Sequence, residues 1–156
     1  MPQDFPQSPV KDAAKLSSAE ILENERTQRR LTAEIIKKDL PQKDGISSFA
    51  APIKIKENSF DSSIVFNKDG SYIVSMQSKI PIENGNTSEQ SMIFKFSSSS
   101  ELIGKEGRRY TNLIALKAED KLIREEMEFN PGLEYADAAI TQLKMAKNQN
   151  ILPRAK

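Results

Sequence analysis

Ser62-Ser63-Ile64-Val65-Phe66-Asn67-Lys68-Asp69-Gly70-Ser71-Tyr72-Ile73-Val74-Ser75-Met76 is the stretch that decides the fold. Two β-prone runs, Ile64 to Phe66 and Tyr72 to Met76, flank Asp69-Gly70. An Asp-Gly pair adopts the positive φ angles of a tight hairpin at little cost, so the runs are expected to fold back on each other. The spacing predicts one strand over Ser62–Asn67 and its return over Tyr72–Lys79, with Tyr72, Val74 and Met76 on one face and Pro81 closing the strand or marking an edge.

The same period of two extends in both directions. Upstream, Ile53 and Ile55 alternate with Lys54 and Lys56 from Pro52 onward, a strand with one wet face. Downstream, Asn84-Gly85 marks a turn before a strand over Gln90–Ser97, with Met92, Phe94 and Phe96 inward and Lys95 outward. Ser97 to Gly107 reads as a flexible loop, and Tyr110, Leu113, Ile114 and Leu116 place a fifth strand over Arg109–Lys117. Short connections favour antiparallel neighbours, so the five strands are expected to form a meander.

Helical signals lie at both ends. Ser17 with Glu20 three residues on is a capping box, and Leu16 and Ile21 are spaced as a hydrophobic staple. The helix is expected to run to about Asp39, ahead of Leu40-Pro41. Ile21 and Leu22 open it and Leu31, Ile35 and Ile36 close it, but Glu23 to Arg30 is polar on every face. Such a stretch reads as solvated, with Glu25–Arg29, Arg30–Glu34 and Glu34–Lys38 as helical ion pairs, so the helix is either a surface element docked by its ends or a projecting arm. Asn130-Pro131 starts a last helix, in which Leu133, Ala136, Ile140 and Leu143 form a stripe that covers the sheet and which ends near Asn148. Residues 118–129 suit a helix through Ile123 and Met127, although Glu125, Met127 and Phe129 also alternate and Ala118 to Lys121 could turn a hairpin. Helix is the expectation there.

The expected fold is α+β: a long N-terminal helix, a five-stranded antiparallel meander and a C-terminal helix packed on it. The parts are a Pro-rich tail (1–16), a helix arm (17–40), a linker (41–51), an α+β body (52–148) and a tail (149–156).

Composition narrows function by subtraction. Among 156 residues there is no Cys, His or Trp. Without cysteine there are no disulfides, thiol nucleophiles or thiolate metal sites. Without histidine the commonest general base and the Ser-His-Asp arrangement are excluded. The net charge of +1 lacks the basic bias of a general nucleic-acid binder. The 37% apolar share rises to about 41% with the 6 glycines, below the ~45–50% usual for globular chains, so part of the chain is expected to stay out of the core. No run approaches the ~18 apolar residues of a membrane span and Met1 to Pro9 has no apolar signal region, which favours a soluble, cytoplasmic protein, the alternative being an extracytoplasmic one whose leader was removed.

Three groups of residues remain as candidates. Lys105, Arg108 and Arg109, beside Gly104 and Gly107, could bind an anion or nucleic acid. Glu125, Glu126 and Glu128, with Glu119 and Asp120 before them, could hold a cation or act as an acid–base pair. Ile21, Leu22, Leu31, Ile35 and Ile36 could dock the first helix onto a protein partner or a second copy. The expectation is a non-enzymatic interaction module without cofactors, a subunit, adaptor or chaperone-like component of an assembly, whose first forty residues are separable from the folded body. The alternative is a carrier of a small hydrophobic ligand, enclosed by Ile53, Ile55, Val74, Met76, Met92, Phe94 and Phe96 in a curled sheet.

Overall fold

The computed structural model describes residues 17–118 and 121–154. Its order is α1 (Ser18–Lys37), β1 (Ser47–Ile55), β2 (Asn58–Phe66), β3 (Tyr72–Pro81), β4 (Thr87–Phe96), β5 (Leu102–Ala118), β6 (Lys121–Met127) and α2 (Leu133–Arg154). The strands form one six-stranded antiparallel sheet in sequential order. The central hairpin is built as expected: Ile64 lies opposite Val74 and Phe66 opposite Tyr72, with Gly70 at φ 92° in the turn.

The strand count is six rather than five. Residues 121–127 form a strand, not a helix, and its register against β5 (Leu113 opposite Ile123, Arg109 opposite Met127) brings Ile123 and Met127 to the inner face. Helix propensity summed over Glu, Lys, Arg and Met loses here to the tertiary pairing that β5 offers, since β5 is long enough to present a second edge. Residues 119–120 of the anticipated turn, and Leu16 of the staple, lie outside the described residues. Other boundaries move too. β1 begins at Ser47, inside the expected linker, and joins β2 by a two-residue turn in which Lys56 and Glu57 both have positive φ (51° and 70°). Neither residue advertises that turn. The Ser97–Gly107 loop shrinks to a tight turn before Leu102, and α2 continues past Asn148 to Arg154.

Both helices pack on one face of the sheet. The inward side chains Ile53, Phe60, Ile64, Val74, Met76, Met92, Phe94 and Phe96 meet Ala136, Ala139, Ile140 and Leu143 of α2 and Ala33 and Ile36 of α1 in a single buried cluster. Gly107 in β5 lets the chain cross closely: a Cβ there would stand 2.4 Å from Cδ of Pro131. The outer face carries Ser59, Ser63, Ser75, Gln77 and Ser91 and is solvated, as one-sided antiparallel sheets are.

Candidate interaction surface

Ser17 caps α1 as the sequence predicts. Its Oγ accepts from the Glu20 N–H (3.1 Å) and its N–H donates to Glu20 Oε1 (3.0 Å), which holds the Glu20 carboxyl below its ordinary range. The polar middle of α1, in contrast, is not solvated throughout. Arg29 is buried, its Nε and Nη2 donate to the two carboxylate oxygens of Asp137 on α2 (2.6 and 3.1 Å), and Nη1 donates to the Ser100 carbonyl (2.8 Å). The guanidinium also lies over the Phe96 ring, 5.1 Å from its centroid. It therefore pairs across the tertiary structure rather than with Glu25.

Ser100 closes this node from the sheet side. It sits in the β4–β5 turn at φ 66°, a left-handed conformation that costs a non-glycine residue about 1–2 kcal/mol. Three bonds hold it there: its N–H donates to the Ser97 carbonyl (2.9 Å), its carbonyl accepts from Arg29, and its hydroxyl is hydrogen-bonded to Tyr72. Burial pushes the Tyr72 phenol above its ordinary value, the bond to Ser100 opposing this. The phenol is neutral below pH 10 in both folded and unfolded chains. Above pH 10 the unfolded chain ionises first, so stability is lost as pH rises, by up to about 1.4 kcal/mol per pH unit until the folded phenol itself titrates. Denaturant melts at pH 9 and above are expected to show this loss, and Tyr72→Phe is expected to reduce it; an identical pH profile in the variant would exclude Tyr72 as its source.

At its C-terminus α1 is capped by α2, where Lys147 donates to the carbonyls of Ile35 (3.3 Å) and Lys38. With Arg29 on Asp137 and Ile35 on Lys147, the two helices run in the same direction. The helix is therefore docked on the folded body rather than projecting from it: Ala33 and Ile36 are core residues, with Ile36 at 0% exposure.

That docking leaves a second face of α1 in water. On it Ile21, Leu31 and Ile35 are 44–45% exposed, whereas Leu22, on the docked stripe seven residues before Arg29, is 61% exposed where it lines a groove with Leu102 and Leu133. Ile21, Gln28 and Ile35 are seven residues apart, as are Asn24 and Leu31, so these five make one continuous ridge along nearly the whole helix. Beside the ridge, Asn24, Gln28, Thr32, Ile140 and Thr141 line a groove of about 280 Å³ between α1 and α2, with the Arg29–Asp137 pair among its lining residues. Met145, one turn beyond Thr141, is 52% exposed. Of the five residues singled out for docking, Ile36 thus belongs to the protein's own core and the other four face solvent.

The basic candidates are not brought together. They lie within β5, not in a loop, and neighbours along a strand point to opposite faces. Lys105 donates to the Pro131 carbonyl (3.0 Å) and Arg109 lies over Phe129 (4.2 Å), both on the helix-covered side. Arg108 is on the outer face, bonded to Glu106 and Tyr110. The acidic candidates divide the same way, Glu125 inward and Glu126 outward, and among the described residues no three potential ligands gather to hold a metal ion. The strand residues proposed to enclose a ligand are filled against α1 and α2, and the sheet is open, with β1 and β6 unpaired to each other.

Arg29, Asp137 and Ser100 are the structural residues that sequence patterns miss. Arg29 lies in a polar stretch with Glu25 at helical spacing, Ser100 in a serine run and Asp137 between alanines, and their pairing spans 71 and 108 residues of chain. Comparison with known protein families, with curated proteins and with solved structures finds no match for this chain. No described helix is long and apolar enough to cross a membrane.

Proposed function

We propose that the protein is a non-catalytic interaction module that receives a helical segment of a protein partner along α1. One observation carries this reading: α1 is docked onto its own sheet by Arg29, Ala33 and Ile36, and a separate apolar ridge of Ile21, Leu31 and Ile35 is left over that the fold does not use. An amphipathic helix laid beside Leu31 and Ile35 would cover these side chains and fill the groove between α1 and α2, the helix-in-groove mode of recognition. Asn24 and Gln28 in the middle of the ridge supply polar groups that fix register, as buried polar residues do in helical seams. A role as subunit, adaptor or chaperone-like component follows from such a surface combined with the absence of histidine and cysteine.

The test is a pair of substitutions on the ridge. Leu31→Glu with Ile35→Glu is expected to leave the folding free energy within about 0.5 kcal/mol of the parent, because both side chains are half in water. Affinity capture from the native source is expected to retain a stoichiometric partner on the parent protein and lose it on the double variant. Retention of the same proteins by both would reject the ridge as the binding surface.

A further inference from the structure

The two edges of the sheet are treated differently. At β1 the edge is closed over its second half: the Lys54 N–H donates to Gln142 Oε1 of α2 (2.9 Å), the Gln142 side chain donates back to the Lys54 carbonyl, and Pro52 has no N–H to offer. At β6 no described residue bonds the outward backbone, and no proline interrupts Lys121–Met127. An open edge of this kind is a template for another strand. Its apolar side chains are also uncovered, with Ile123 38% and Met127 36% exposed.

The side-chain order along β6 matches itself. In an antiparallel pair of two identical strands, a two-fold axis perpendicular to the sheet passes midway between the two copies of one residue and keeps inner faces on the same side. With the axis at Glu125, Ile123 faces Met127 of the second copy and Arg124 faces Glu126 of the second copy, each twice by symmetry. The Arg124–Glu126 pairs fall on the outer face, where Arg124 is already positioned by its stack over Tyr110, 4.0 Å from the ring centroid. Glu126 is directly opposite that same Tyr110 in the β5–β6 register, so the second copy's arginine would extend an existing row. Against two ion pairs and two apolar pairs stands one like pair, Glu125 with itself, on the inner face. An axis at Arg124 instead sets Arg124 against itself and Ile123 against Glu125, which offers no complementarity.

We propose that a second copy of this chain pairs with β6 along residues 123–127, with its two-fold at Glu125, joining two sheets into one of twelve strands. This surface lies on the sheet edge and is separate from the α1 ridge.

Sedimentation equilibrium of the full chain over a concentration series tests it. The parent is expected to be a reversible dimer. Arg124→Glu and Glu126→Arg each set like charges opposite one another twice, and each is expected to weaken dimerisation about tenfold or more. The double variant R124E/E126R restores opposite charges and is expected to recover parental affinity to within about threefold. Because the substitutions are on the solvated outer face, circular dichroism is expected to show a native fold in all three. A monomeric parent, tightening by E126R, or a folded double variant that stays monomeric would overturn the proposal. So would a dimer lost in L31E/I35E and kept in R124E, since that result assigns self-association to the α1 ridge.

Discussion

Phe96→Ala is expected to lower the free energy of unfolding by about 3–5 kcal/mol, the range for truncating a fully buried aromatic residue. Phe96 is at 0% exposure, its ring is stacked on Tyr72 with centroids 5.1 Å apart, and the Arg29 guanidinium covers it. Alanine removes the transfer free energy of the ring and leaves a cavity bordered by the rigid β4–β5 turn, which has little freedom to collapse into it. A domain of this size is typically stable by about 5–15 kcal/mol, so the variant is expected to be marginal at 37 °C. Chemical denaturation with an unchanged slope and a midpoint shifted to lower denaturant would be the confirming pattern. A loss below about 1 kcal/mol would mean that the ring does not support the node described here.

Arg29→Ala is the second large effect, at about 3 kcal/mol. Breaking a buried ion pair by removing one partner typically costs about 3–5 kcal/mol because the remaining charge is stranded. Here the side chain of Asp137 is 37% exposed and can be rehydrated, which places the expected loss at the lower end. The Ser100 carbonyl loses its donor as well, and the left-handed turn loses one of its three restraints. Arg29→Lys is expected to recover only part of the stability, since an ammonium group cannot meet both carboxylate oxygens and the carbonyl with the geometry of a guanidinium. Because Arg29 and Phe96 touch, R29A and F96A are expected to be non-additive, the double variant losing less than the sum by about 0.5–3 kcal/mol. Strict additivity in a double-mutant cycle would show that the two side chains act independently.

These two residues also mark where patterns in the chain stop being informative. Phe96 was legible as an inward strand residue from its alternation with Lys95, and the Asp69-Gly70 hairpin, the Ser17–Glu20 cap and the α2 stripe were legible for the same reason. All four are local: a turn type, a cap and a periodicity each depend on residues within a few positions of one another. Arg29 shows nothing of its role locally, because Glu25 stands at equally good helical spacing and only the approach of α2 brings Asp137 within 2.6 Å. Burial makes the difference, since a pair shielded from water outweighs one on a solvated helix face.

The interaction surface was partly legible in the same sense. Apolar residues at both ends of α1 were visible, but which of them the protein keeps for itself was not. Ile35 and Ile36 are adjacent and chemically identical, and a rotation of about 100° per residue sends one into the core and the other into water. The basic residues are divided between two faces for a related reason. Lys105, Arg108 and Arg109 are close in sequence, and the pleat of β5 places Arg108 on the opposite face from the other two.

The chain by itself determined the α+β class, the sequential antiparallel order of the central strands and the exclusion of the chemistries that histidine and cysteine would have supplied. Tertiary structure alone decided that residues 121–127 join the sheet, that α1 docks on the folded body and that its ridge of Ile21, Leu31 and Ile35 remains uncovered. The first set depends on short-range geometry that each residue carries with it. The second depends on which surfaces compete for burial once the sheet exists, and that competition is settled by partners far away in the chain.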